Sequence, residues 1–198
     1  ILVQREIYEK FRDRLVDRAR KIVVGDPLDL RTENGPVVSA EHLRKIQGCV
    51  QMAVEDGGKV LCGGSAPDNA LEPGSRVSKG YFISPTVIEG LSAKARVAQE
   101  EIFGPVCTLH TFDSEEEAIA LANDVEYGLA ASVWTKDGSK ALRVSHAIET
   151  GMVWVNCWMH RDLRVPFGGV KASGLGHEGG EHSMNFYSEV KNICLKFK

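Results

Sequence analysis

The sequence predicts an α/β protein built on a mostly parallel sheet with crossover helices. Two observations predict it. Between residues 106 and 155, segments short enough to be strands alternate with segments of helical period, the order that crossover units require. The strand segments are also nearly continuous in apolar residues, as in Met152-Val153-Trp154-Val155, which suits strands covered on both faces. Composition agrees with such a domain. Of 198 residues, 43% are hydrophobic and 26% charged, the balance of an ordinary globular core.

Each element follows from a local pattern. Ile1-Leu2-Val3 reads as a strand. Ile7, Phe11, Leu15, Ala19 and Ile22 recur at helical spacing among charged residues, which predicts an amphipathic helix over 6–22. Val24-Gly25-Asp26-Pro27 ends it, and Glu33-Asn34-Gly35-Pro36 is a turn cluster. Ser39 is a cap for a second helix whose Leu43, Ile46, Val50 and Ala53 share a face, and Gly57-Gly58 closes it. Apolar runs follow at 59–62 and 81–88, separated by a polar loop over 63–80.

Residues 106–112 read as a strand, and Ser114-Glu115-Glu116-Glu117 is a capping box opening a helix through Ala122. A strand over 129–135 and a helix over 137–148, with Ala141, Val144 and Ile148 on one side, come next. Residues 152–155 form a strand too apolar for an exposed edge. From Cys157 to Gly180 glycine dominates, and loops held beyond strand ends on such a scaffold are where ligands bind. A helix over 181–188 follows. Ile193, Leu195 and Phe197 then alternate with polar residues to Lys198, so one face of a terminal strand needs a cover. That cover is either its own sheet or another subunit.

Several function classes are excluded. A net charge of −3 gives no basic field for a phosphate backbone, so nucleic acid is not the partner. No apolar run is long enough to cross a bilayer, and no apolar segment follows a basic stub as in a signal peptide. The chain opens at Ile1 without Met, as though cut from something longer. Five cysteines, Cys49, Cys62, Cys107, Cys157 and Cys194, form no C-x-x-C pair, which predicts reduced thiols, a cytoplasmic compartment and no zinc. The six histidines show no metal-ligand spacing.

Candidate chemistry lies in three places. Gly174-Leu175-Gly176-His177-Glu178-Gly179 matches G-x-G-x-x-G but follows a loop, with one strand left after it, so the context of a dinucleotide turn is missing. Cys157, at a strand end, suits a small buried hydrophobe better than a nucleophile; His160 and Glu178, in the glycine-rich region, are polar candidates with a solvated loop as the alternative. In Gln99-Glu100-Glu101-Ile102-Phe103-Gly104-Pro105-Val106, a carboxylate and an aromatic two positions apart suit a ribose diol and a planar ring, with solvated loop acids as the alternative. Pro166-Phe167-Gly168-Gly169-Val170-Lys171-Ala172-Ser173-Gly174 sets a rigid aromatic beside glycines that permit close backbone approach.

Together with Asn123-Asp124-Val125-Glu126-Tyr127-Gly128-Leu129-Ala130-Ala131 between them, these strings resemble the C-terminal part of the NAD(P)-dependent aldehyde dehydrogenases. The resemblance runs from Ile1 to Lys198. It implies that residues 1–188 are the catalytic-domain portion, that 189–198 are an oligomerisation strand, and that the N-terminal cofactor domain is absent. It implies that Glu101 takes the nicotinamide ribose hydroxyls and Phe103 supports the nicotinamide ring, with Lys45 and His42 at the adenosine end and Phe167 along the aldehyde tunnel. The family's nucleophilic cysteine would lie just upstream of Ile1, and its general-base glutamate farther upstream. The chain by itself is therefore expected to hold no catalytic residue and to form no NADH from aldehydes. The cofactor is NAD, with NADP left open, because the selecting residues would lie upstream; no metal is implied.

The loop Asn156-Cys157-Trp158-Met159-His160-Arg161-Asp162-Leu163-Arg164-Val165-Pro166-Phe167 narrows the substrate. It looks like the branch acting on 2-aminomuconic and 2-hydroxymuconic semialdehydes, whose far ends carry a carboxylate. Arg161 would hold that carboxylate bidentately, with Arg164 sharing the role; an Arg161–Asp162 surface pair is the alternative. Two further classes are a non-catalytic assembly module that keeps the fold, and a nucleotide sensor built on the glycine loop.

Overall fold

The computed structural model describes residues 1–67 and 77–198. The polar loop expected over 63–80 thus falls partly outside the described residues. The chain divides into two compact units, Ile1–Ala118 and Ile119–Lys198.

In the first unit a four-stranded sheet has the order β1-β4-β3-β2 among the described residues, with β1 at Leu2–Gln4, β2 at Lys59–Cys62, β3 at Thr86–Glu89 and β4 at Val106–Phe112. The β1–β4 and β4–β3 pairs are parallel, and β2 closes the edge antiparallel to β3. Thr86, Val87 and Ile88 are buried in succession, as a central strand with both faces covered requires. Because successive side chains point to opposite faces, Val87 packs with Val16, Ala19 and Leu109, whereas Ile88 packs with Ala53, Leu91 and Val97. Helix α1 (Tyr8–Arg20) thereby covers one face and α2 (Ala40–Glu55) the other.

The helix expected over 6–22 is shorter at both ends. A 3-10 turn over Arg5–Ile7 precedes α1 and leaves Ile7 exposed, while Ile22 lies beyond it against a separate cluster of Val24, Val77 and Phe82. The strand expected over 81–88 is confined to β3. Both predicted caps are made: the amide of His42 donates to Ser39 Oγ at 3.1 Å, and that of Glu117 to Ser114 Oγ at 3.1 Å. The latter opens α4 (Glu115–Asn123).

The second unit contains a β-α-β crossover: β6 (Ala130–Val133), α5 (Gly138–Ala147) and β7 (Met152–Val155), with β6 and β7 parallel. Contrary to the sequence expectation, β7 has only β6 beside it among the described residues. A short antiparallel pair joins β5 (Tyr127–Gly128) to β8 (Val170–Lys171), and α6 spans Gly180–Tyr187. Residues 189–198 form no strand with the described residues, and Val190, Ile193, Leu195 and Phe197 are exposed. No helix among the described residues is long and apolar enough to cross a membrane.

One contact makes the stability of the first unit depend on alkaline pH. The Tyr8 phenol donates to Glu89 Oε2 at 2.8 Å, and burial, then the bond to this carboxylate, pushes its pKa up to about 12 from an ordinary 10.0. A raised pKa means the folded state keeps the proton where the unfolded chain has lost it, so the stabilisation is complete below pH 10 and disappears as pH rises through 12. Urea unfolding at pH 9 and 11 is expected to show a larger loss for the native chain than for Tyr8→Phe; equal losses would refute the assignment.

Candidate functional site

In the first unit, the acidic stretch separates two carboxylates that are adjacent in sequence. Glu100 pairs with Arg96 at 2.6 Å, one helical turn back along α3 (Arg96–Gln99), and that bond holds its carboxyl below the usual range. Glu101 is exposed and makes no hydrogen bond or ion pair among the described residues. Phe103 follows with φ of 59°, a left-handed conformation that costs a non-glycine residue about 1–2 kcal/mol. The turn leaves the Phe103 residue 73% exposed.

Helix α2 supports this turn. His42 Nε2 lies 2.7 Å from the carbonyl oxygen of Phe103, which accepts, so Nε2 carries the proton. The two rings meet edge to face, 6.1 Å between centroids. One helical turn on, Ile46 is fully buried beneath Gly104, where a Cβ would lie 2.5 Å from Ile46 Cδ1. Lys45 is exposed on the same helix, and its charge also lowers the pKa of Glu100. Thus Glu101 and Phe103 share one turn held by α2, and His42 serves that turn.

In the second unit, the loop after β7 is pinned at each end. Asn156, itself left-handed, accepts from the Thr135 amide at 2.9 Å and donates to its carbonyl at 2.8 Å. Trp154 Nε1 donates to the His160 carbonyl at 2.9 Å, and its ring meets Trp158 edge to face. Cys157 contributes its carbonyl, accepting from Ser132 Oγ at 3.1 Å. Arg161 then lies with its guanidinium carbon 4.1 Å from the centroid of the Phe167 ring. Its Nη2 reaches Glu178 Oε1 at 2.5 Å, and its side chain stays 31% exposed. Phe167 and Glu178 exchange two backbone hydrogen bonds of 2.8 Å, which fixes the carboxylate beside the stack.

The Arg161–Asp162 pair considered from sequence is not formed. Asp162 binds Arg164 instead, Nε to Oδ1 at 2.9 Å and Nη2 to Oδ2 at 2.5 Å, and this pairing holds the Asp162 carboxyl below its usual range. Gly179, last of the G-x-G-x-x-G match, is needed for packing: a Cβ there would lie 2.3 Å from the Val165 carbonyl oxygen.

Sequence reasoning missed the residues that join the motifs. Lys171 Nζ donates to the Asn123 carbonyl at 2.8 Å and the Val125 carbonyl at 3.3 Å, and pairs with Glu149 at 2.8 Å. Asn123 receives the Glu149 amide and donates to the Ala147 carbonyl, both at 2.8 Å. Ser173 Oγ accepts from the Gly128 amide at 2.9 Å. The available signal was that Lys171, Ser173 and Asn123 all sit within the quoted strings. Lys171→Met is expected to destabilise the second unit by about 2–3 kcal/mol, because its carbonyl partners and Glu149 lose a charged donor. Tryptophan-monitored urea unfolding measures this, and an unchanged midpoint would contradict it. No cluster of metal-binding side chains occurs among the described residues.

Known proteins resemble the chain along most of its length. The family model described as "Aldehyde dehydrogenase family" matches residues 1–193. The chain is 46% identical over 196 residues to the 2-hydroxymuconic semialdehyde dehydrogenase of Pseudomonas sp. (strain CF600), covering 99% of this chain and 40% of that protein. It is 44% identical to the 2-aminomuconic semialdehyde dehydrogenase of Danio rerio, with the same coverage. The crystal structure of betaine aldehyde dehydrogenase from Staphylococcus aureus in complex with NAD+ superposes with a TM-score of 0.89 at 42% identity, over 94% of this chain and 36% of that one. The chain thus spans about 40% of the length of the curated relatives it matches. With the family model matching residues 1–193 and an aldehyde dehydrogenase fold shared at 42% identity, the chain belongs to the aldehyde dehydrogenase family.

Proposed function

We propose that the chain forms the nicotinamide-side wall and the substrate-carboxylate site of an NAD-dependent dehydrogenase that oxidises a carboxylated semialdehyde of the 2-hydroxymuconic or 2-aminomuconic type to its acid. The observation that carries this reading is Arg161, stacked on Phe167, oriented from one side by Glu178 and partly open to solvent. Guanidinium donors remaining beyond the Glu178 contact suit a second carboxylate, and the charge-assisted fork fixes its orientation. Arg164 is paired with Asp162 and would share the role only by exchanging that partner for the substrate carboxylate. Relatives at 46% and 44% identity carry the names of muconic semialdehyde dehydrogenases, which supports the same substrate class here.

The residues of the first unit fit NAD. An exposed Glu101 carboxylate with free acceptor oxygens suits two ribose hydroxyls, and an exposed aromatic two positions on suits the face of a planar ring. NAD, when bound, supplies the hydride acceptor. Glu101 would fix the ribose and Phe103 would support the nicotinamide ring, while in the second unit Arg161 would hold the carboxylate of the substrate. Lys45, exposed on α2 in the same unit, would serve the adenosine end in this reading.

In a full-length protein carrying this chain, Arg161→Ala is expected to lower kcat/KM for 2-hydroxymuconic semialdehyde by about 10- to 100-fold, the worth of a charged hydrogen bond, and to leave an uncharged aliphatic aldehyde unaffected. Equal loss on both aldehydes would overturn the assignment.

Residues 1–188 constitute the catalytic-domain portion in this reading, and 189–198 the assembly strand between copies. The exposed, alternating Ile193, Leu195 and Phe197 support the latter. Removal of 189–198 is expected to reduce the assembly in sedimentation; an unchanged mass would refute this role.

A further inference from the structure

We infer that His42 is a positioning residue for Phe103, gripping the carbonyl of a left-handed turn so that α2 decides where the aromatic ring stands. The inference about the turn is independent of any ligand. Its functional consequence rests on the reading of Phe103 as part of the cofactor wall.

Three observations converge on it. The first is the contact itself. His42 Nε2 is 2.7 Å from the Phe103 carbonyl oxygen, and the His42 ring stands edge-on to the Phe103 ring at 6.1 Å. The second is that His42 is itself fixed, because its amide donates to the Ser39 cap at 3.1 Å and its backbone belongs to the first turn of α2. The third is conformational. Phe103, with φ of 59°, occupies a region an L-residue leaves unless neighbours hold it there. The next residue, Gly104, rests on Ile46, one helical turn along α2 from His42. Two successive residues of the turn are therefore seated on one face of one helix: a polar grip at the first and a steric seat at the second.

With Nε2 bound to the Phe103 carbonyl, the neutral His42 ring has only the acceptor Nδ1 left for any other partner. Here the donor is spent on the chain's own backbone. The consequence is a division of labour on α2: Lys45 remains exposed for a ligand, while His42 acts through Phe103.

Hydrogen exchange on the chain without cofactor tests the grip directly. The Val106 amide donates to the Gly104 carbonyl and the Thr86 amide to the Pro105 carbonyl, each at 2.8 Å, so both report on the turn. His42→Leu is expected to speed their exchange about five- to tenfold, the loss of one hydrogen bond, with amides at 46–53 of α2 unchanged as proof that the helix is intact. His42→Gln, whose side-chain amide also donates, is expected to restore protection. Unchanged exchange in the leucine variant, or a glutamine variant that behaves like leucine, would overturn the inference.

Calorimetry with NAD on a full-length protein carrying this chain supplies the second arm. Weaker binding in His42→Leu, recovered in His42→Gln, supports both the grip and the cofactor wall. Faster exchange with unaltered NAD binding supports the grip and overturns Phe103 as the wall.

Discussion

Replacing Gly151 by alanine is expected to destabilise the fold of residues 119–198 strongly. A Cβ at this position would lie 1.7 Å from the Gly168 carbonyl oxygen, 2.8 Å from its carbon and 3.3 Å from Gly169 Cα. All three are backbone atoms, so no side-chain rotation relieves the clash. Gly151 cannot retreat easily either, since its amide donates to the Gly128 carbonyl at 3.0 Å and β7 begins at the next residue. The opposing segment is tied on both sides, through the paired Phe167–Glu178 bonds and through Lys171. The cost is expected to exceed about 3 kcal/mol, a large share of a domain stability of about 5–15 kcal/mol. The three tryptophans, Trp134, Trp154 and Trp158, all lie in this unit, so their fluorescence reads it selectively. An unaltered urea midpoint would show that the approach of the two segments is dispensable.

Truncation of Ile46 to alanine carries the second large effect. Ile46 is fully buried in α2, and its deletion leaves a cavity expected to cost about 2–5 kcal/mol. Gly104→Ala acts on the same space from the other side, with its methyl 2.5 Å from Ile46 Cδ1, and is expected to cost about 1–3 kcal/mol. In the double variant the added methyl enters the space the isoleucine leaves. The two costs are therefore expected to fall short of their sum by about 0.5–3 kcal/mol. A strictly additive cycle would mean that Gly104 is seated by something other than Ile46. The same comparison bears on the site, since Phe103 precedes Gly104 in the turn.

The elements that sequence reasoning located best are those stabilised locally. Ser39 and Ser114 cap helices because their oxygens reach amides three residues on, a relation visible in the string. Ile46, Val50 and Ala53 share a face because the helical period puts them there, and all three are buried. Ile7 fits the same period yet is exposed, because a 3-10 turn alters the rotation before α1 starts. That β7 has only β6 beside it among the described residues was equally out of reach, since apolar content tells that a strand needs covering and not which partner supplies it.

The candidate site divides in the same manner. Glu101, Phe103, Phe167 and Arg161 stand out in sequence by type and spacing. What each touches depends on segments far along the chain. Arg161 meets Glu178 rather than its neighbour Asp162, and His42 meets Phe103 across 61 positions. Lys171 and Ser173 reach back to 123–128, joining two motifs that the string shows only as separate runs.

By itself, then, the sequence determined the α/β class, the two helices that cover the sheet, and the family motifs in their order. These depend on periodicity and on interactions between near neighbours, both of which are written in one dimension. Only the tertiary structure decided that Glu100 and not Glu101 meets Arg96, which acid each of Arg161 and Arg164 meets, and that His42 bonds the carbonyl of Phe103. Those outcomes are settled by which of several chemically equivalent partners comes within about 3 Å. At that range, one ångström of backbone placement outweighs residue type.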